Sequence, residues 1–317
     1  MSKFVEHNNR AKAKKLAEFI TGETLRRYLA GKVIGYCGEH PSVFDGASGS
    51  GQLEQYIKPS NIWAVEIQAE SCQALKQNYP SAIVCNNSFF EYMGYSVADC
   101  VVMNPPFAMK FKELTNIERQ VIQQEFPWKK SGVVDDIFIL KSLNYTSRYA
   151  FHICSLGIGY RKTEKKMREL IGTKLLELNI IKNGFDDTPI DVMLIVIDKE
   201  KTSRTFKRSI YDCSTQATEV EDTGELNDDF DWPKPFVHVE EEIMSESDMN
   251  ELNREVGNLE LDGLENHLHL QHVMFSQLGL SVDYSYFFKR ARAILDKYER
   301  LFNKTKVNNQ IDLDIAS

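Results

Sequence analysis

Three short stretches hold the residues best suited to chemistry: VFDGASGSG (43–51), AVE (64–66) and DCVVMNPPF (99–107). In the third, Cys100 to Met103 reads as a buried strand, short, apolar and partly β-branched. Proline cannot donate to a sheet ladder, so Pro105 and Pro106 must end that strand. Each also pushes the preceding residue into extended backbone. The result is a stiff loop at a strand's carboxyl end. It offers the Asn104 amide, the Pro105 carbonyl with no adjacent N–H, and the Phe107 ring. A plain strand end with a proline stop would look the same in isolation.

The first two stretches narrow the reading. Gly46, Gly49 and Gly51 allow a tight turn and close approach to a ligand, although glycines also make ordinary turns. Glu66 follows about 20 residues later at the end of the next expected strand, where an acid can receive ribose hydroxyls.

These stretches need a frame to position them. Ser42–Asp45, Asn61–Glu66, Ser81–Cys85, the strand before Asn104 and Tyr149–Leu156 alternate with helical patterns. Helices are expected near 10–30, 52–58, 69–78, 111–128, 134–147 and 163–177. Two more strands, near 179–182 and 190–198, lie close enough for a hairpin. Such alternation predicts an α/β fold: a Rossmann-like, doubly wound, mostly parallel sheet with a terminal antiparallel hairpin. Ligands then bind beyond the carboxyl ends of the strands, where all three stretches fall.

The 317 residues carry a net charge of -8. Residues 1–200 hold 25 Lys+Arg against 23 Asp+Glu, and residues 201–317 hold 13 against 23. The first part can face a polyanion; much of the second repels one. Residues 219–231 contain seven acids and no Lys or Arg. The expected division is therefore a catalytic domain over 1–200, an acidic linker over 201–247 and a helical region over 248–317. Its last helix aligns Phe287, Ile294, Leu295, Tyr298 and Leu301 on one face. Six cysteines without a C-x-x-C pair fit reduced thiols in a cytoplasmic protein. The N-terminus has no apolar leader core, and no apolar run is long enough to cross a bilayer. His267, His269 and His272 suit an ordinary helix better than a metal site, so no metal is expected.

VFDGASGSG, AVEIQ and DCVVMNPPF, in this order and spacing, resemble S-adenosylmethionine-dependent amino-methyltransferases, and NPPF is the form found in DNA adenine-N6 enzymes. The later DDIFILKSLNYTSRYAFHICSLGIGYRKTEKKMRELI and IIKNGFDDTPIDVMLIVIDKEK are similar to methylation subunits of type I restriction–modification systems. The likeness covers roughly residues 10–200. It implies methyl transfer from S-adenosylmethionine to a flipped adenine in DNA. Asp45, Gly46, Gly49 and Gly51 would hold the methionine part of the cofactor, Glu66 its ribose, and Ile67 and Phe89 its adenine. Ser88 stands where the family usually has an acid for the adenine amine. Thr21 or Thr24 would cap the cofactor carboxylate, although the usual T-P pair is missing.

In that reading Asn104 and Pro105 each accept one N–H of the target amine. Its lone pair, otherwise delocalised into the ring, is then aimed at the methyl group. Pro106 stiffens the loop and Phe107 stacks on the base. Lys110, Lys112, Lys129 and Lys130 would meet phosphates or form a solvated face. A specificity subunit, or a second copy, would dock on the C-terminal helices. The alternatives are an RNA or protein amino-methyltransferase, and a non-catalytic partner subunit of the same fold.

Overall fold

The computed structural model describes residues 4–5, 21–185, 188, 190–232 and 246–315, with side chains of the last segment described over 250–300. One nine-stranded sheet organises the chain up to Trp232, in the order β3-β2-β1-β4-β5-β7-β6-β8-β9. The strands are β1 (Ser42–Asp45), β2 (Asn61–Glu66), β3 (Ile83–Asn86), β4 (Ala98–Met103), β5 (Thr146–Ser155), β6 (Leu175–Lys182), β7 (Val192–Asp198), β8 (Thr205–Asp212) and β9 (Ala217–Glu225). β1 to β5 are parallel neighbours. β7 inserts antiparallel between β5 and β6. The chain order of β1 lies between β2 and β4, so the sheet winds outward in both directions from there. The crevice at such a reversal is where ligands of this architecture bind.

The helices are α1 (Glu23–Cys37), α2 (Ala69–Asn78), α3 (Asn116–Glu125), α4 (Asp135–Ser142), α5 (Lys165–Ile171), α6 (Glu246–Gln277) and α7 (Ser285–Ile315). Central strands are buried on both faces, which is why they read as continuous apolar runs. On one side Phe44, Val101, Met103, Ile137, Phe138 and Ile195 share a core. On the other, Leu25, Leu29, Val33 of α1 pack with Val43, Val102, Phe151 and Val196.

Three expectations change. The helix expected over 52–58 is a single tight turn, Leu53–Gln55, stopped by Lys58 at φ 52° and then Pro59. The helix expected over 163–177 ends at Ile171, because Gly172 adopts φ 53°, and β6 begins at Leu175. Residues 10–20 of the first expected helix lie outside the described residues.

The largest change concerns the acidic run. β8 pairs parallel with β6 and β9 pairs antiparallel with β8, so the hairpin is not terminal and the sheet continues through Glu225. Leu226 and Trp232 are buried beyond it. The acids do not repel one another into a linker because four of the seven meet a cation of a neighbouring element. Glu219 pairs with Lys182, Asp222 with Arg208, Asp228 with Arg204 and Asp229 with Lys165. α6 and α7 form a separate unit.

Candidate active site

The NPPF loop leaves β4 directly below the sheet's reversal. The Asn104 side-chain nitrogen donates to Thr21 Oγ1 at 2.9 Å. Thr21 is itself fixed by an antiparallel bridge to Phe185, and Gly22 N donates to Gly184 O at 2.9 Å. With its nitrogen thus occupied, the Asn104 Oδ1 is buried and has no partner. Leaving a buried acceptor unsatisfied costs free energy, so such an atom marks a place prepared for a donor. Thr21, expected at the cofactor carboxylate, here holds the Asn104 amide of the NPPF loop.

Pro105 is buried and Pro106 half-buried. The Phe107 ring is buried, edge-on to Phe185 at 6.0 Å between centroids. The loop then turns through Ala108 at φ 58°, a conformation unfavourable for an L residue. Its N–H donates to Asp135 Oδ1 at 3.1 Å, at the start of α4. Asp135 Oδ2 in turn accepts from Ser155 Oγ at 3.1 Å and pairs with Arg161 at 3.3 Å. Burial raises the Asp135 pKa against the opposing pull of Arg161. This brace was missed as a site feature; its signal was the double acid opening a helical stretch.

The glycine loop follows β1. A Cβ at Gly46 would lie 2.6 Å from the Phe89 ring and 3.0 Å from Met103, so only glycine fits there. Phe89 packs in the core, stacked on Phe138 at 5.6 Å, and so supports the loop from beneath. Gly51, at φ 82°, runs against Tyr79. Glu66 ties this loop to the end of β2: Gly49 N donates to Oε2 at 2.8 Å and Gln68 N to Oε1 at 2.7 Å. Each oxygen keeps a further lone pair for a hydroxyl. Burial raises the Glu66 pKa, opposed by those N–H groups. Beside it Ile67 is 60% exposed, an apolar surface facing outward at the strand end.

Two acids lie under the loop. Asp45 accepts from Ala47 N at 2.8 Å. Glu54, 0% exposed, packs against Asp45, and neither of its oxygens meets a donor. Two adjacent carboxylates cannot hydrogen-bond unless a proton lies between them. Burial, and then the neighbouring Glu54, hold Asp45 well above the usual carboxylate range. Burial pushes Glu54 up to about 7.

Ser88 donates to Glu118 Oε1 at 2.6 Å, a buried bond between the loop after β3 and α3. Lys129, one of four lysines expected near phosphate, is buried in an ion pair with Asp136 at 2.7 Å. It is therefore removed from the surface, while Lys110, Lys112 and Lys130 are exposed. The three histidines lie on α6. Among the described residues no group of three or more His, Cys, Asp or Glu is arranged to hold a metal, and no helix is long and apolar enough to cross a membrane.

The residues present fit S-adenosylmethionine: a loop with room only for backbone at Gly46, an acid with spare lone pairs at the end of β2, and an apolar neighbour. Comparison with known proteins bears on the same region. Among curated proteins none matches the chain significantly. The fold is similar to the type I restriction–modification methyltransferase subunit of Streptococcus thermophilus, with TM-score 0.52 and 17% identity over 67% of this chain and 51% of that one. It is also similar to a modification subunit of a type I restriction enzyme from Vibrio vulnificus YJ016, with TM-score 0.52 and 12% identity over 71% of this chain and 60% of that one. The chain thus spans about half to three fifths of those structures. The model of the N-6 DNA Methylase family matches residues 60–231, more than half of the sequence and including β8 and β9. The chain belongs to the N-6 DNA methylase family.

Proposed function

We propose that this protein transfers a methyl group from S-adenosylmethionine to the N6 amine of adenine in DNA. The observation that carries the reading is the buried, partnerless Asn104 Oδ1 within NPPF at the end of β4. Bound S-adenosylmethionine would supply an electrophilic methyl on its sulfonium. Asn104 Oδ1 and the Pro105 carbonyl accept the two N–H groups of the target amine and fix its direction. Thr21 sets the amide, and Asp135 holds the exit of the loop at Ala108. Catalysis is then positioning plus preorganised acceptors, with no covalent nucleophile from the chain. The adenine must leave the duplex to reach this loop. Phe107, already edge-on to Phe185, would present its remaining surface to the base.

The S. thermophilus protein is described as a methyltransferase subunit of a larger system. We extend that to a partner for this chain, either a specificity subunit or a second copy, on α6 and α7. Leu259, Phe288, Ile294 and Leu295 are exposed there; the side chain of Leu301 lies outside those described. The proposed boundary moves with the fold, to a catalytic unit ending near residue 232 and a helical unit beginning at α6. Transfer of tritiated methyl to DNA, RNA and protein in parallel tests the activity. Label in N6-methyladenine of DNA supports it; label only in RNA or protein, or none, overturns it.

A further inference from the structure

The loop after β3 carries Ser88 where a nucleoside base would be met. Glu66 and Asn86 are register partners at the ends of β2 and β3. Asn87 N donates to the Glu66 backbone carbonyl at 3.1 Å, and Ser88 is the next residue along the loop. A serine there brings a hydroxyl but no charge. The structure brings a charge from elsewhere. Glu118, the third residue of α3, is 7% exposed and takes the Ser88 hydroxyl on Oε1 at 2.6 Å. Its other oxygen accepts from Thr115 N at 2.8 Å, and Thr115 Oγ1 accepts from Glu118 N at 3.2 Å, a reciprocal cap on the helix. Among the described residues no cation pairs with this carboxylate. A buried carboxylate with two neutral donors has lone pairs to spare and is under-compensated.

We propose that Glu118 receives the exocyclic amine of the cofactor's adenine, with Ser88 as the hydroxyl that aims it. The acid is thereby supplied by α3 rather than by the β3 loop. This rests on the cofactor reading above and specifies its base-binding wall, with Ile67 as the apolar surface beside it. It also couples two events. The same α3 follows the NPPF loop in the chain, and Phe111 N, at the loop's exit, donates to Gly132 O at 2.9 Å. A cofactor held by Glu118 would thus be held by the segment between Phe111 and Gly132, which follows the NPPF loop.

The test uses the full chain and calorimetry with two ligands: S-adenosylhomocysteine, and its analogue with hydrogen in place of the 6-amino group. Glu118→Gln is the informative variant, because glutamine at this position keeps the helix cap while removing the charge. The wild type should prefer S-adenosylhomocysteine by about tenfold. In Glu118→Gln that preference should shrink severalfold through weaker binding of the amino ligand alone. Adding Ser88→Asp to Glu118→Gln should restore it, since the charge then stands on the loop itself. Ser88→Asp alone should weaken both ligands, because two carboxylates would meet. Equal loss of both ligands in Glu118→Gln, or an unchanged preference, overturns the assignment and leaves Glu118 a helix cap. Failure of the wild type to bind S-adenosylhomocysteine at all overturns the cofactor reading and this proposal with it.

Discussion

The Thr21 hydroxyl accepts a 2.9 Å hydrogen bond from the Asn104 side-chain nitrogen, and that bond decides which way the amide of the NPPF loop points. Oδ1 is left buried and unsatisfied, so the loop is set to accept rather than donate. Asn104→Ala should abolish methyl transfer while S-adenosylhomocysteine affinity stays within about twofold, since the amide acts on the target amine. Thr21→Val should cost about tenfold in turnover by freeing the amide to rotate. Single-turnover rates beside calorimetry check both. Near-normal turnover in Asn104→Ala would sink the mechanism.

Glu66→Ala should weaken S-adenosylhomocysteine binding by roughly ten- to a hundredfold, because a charged acceptor is lost. Gly49 N and Gln68 N lose their partner at the same time, which loosens the glycine loop. Calorimetry measures it, and unchanged affinity would place Glu66 outside the site.

Asp135→Ala removes the acceptor that holds Ala108 at φ 58°. Turnover should fall about tenfold or more, with cofactor affinity nearly unchanged, because only the exit of the catalytic loop relaxes. Comparing kcat with the dissociation constant for S-adenosylhomocysteine separates this from a general loss of fold.

Glu54 makes stability depend on pH. Its pKa rises from the ordinary 4.5 to about 7 through burial, so the folded state keeps a proton that the unfolded state releases between those values. The stability this contributes is full below pH 4.5 and lost as pH rises through 7, at most about 3 kcal/mol. His152 acts oppositely. Burial pushes it down to about 3, so it stays neutral in the fold and stability falls as pH drops below its ordinary 6.5. Glu54→Gln removes the first effect, and with it Glu54's upward push on Asp45, while leaving His152 as it is. Its melting temperature should rise more from pH 5 to pH 7 than the wild type's, and a parallel pair of curves would refute the assignment.

The catalytic unit should survive removal of α6 and α7 but not of β8 and β9. A chain ending at residue 236 should be soluble and melt cooperatively. One ending at Lys201 should not, because Phe206, Ile210, Leu226 and Trp232 leave the core they share with β6. Circular dichroism and light scattering distinguish the two. Transfer to the same DNA site at the same rate by the longer fragment would deny α6 and α7 any part in target reading.

The central sheet was legible because strands buried on both faces must be apolar throughout, and Pro105 and Pro106 mark where β4 stops. β8 and β9 were not. β9 reads ATEVEDTGE, with neither alternation nor an apolar run, because nearly all of it is exposed. Its pairing depends on cations distant in sequence, such as Lys182 for Glu219. Asn104, Glu66 and the glycines stood out in the sequence because each lies at the end of a strand that could be read there. Glu54 and Glu118 were hidden among ordinary helical acids; only folding shows that one is sealed beside Asp45 and the other meets Ser88.

Among the described residues β9 is also the last strand of the sheet, and no further strand there meets its outer row of N–H and C=O groups. Such an edge is a template on which another chain can crystallise its own strands. Glu219, Glu221, Asp222 and Glu225 stand along it, so a second copy approaching in register would bring like charges face to face. The acidity of this strand is thus also a guard against edge-to-edge pairing of two copies.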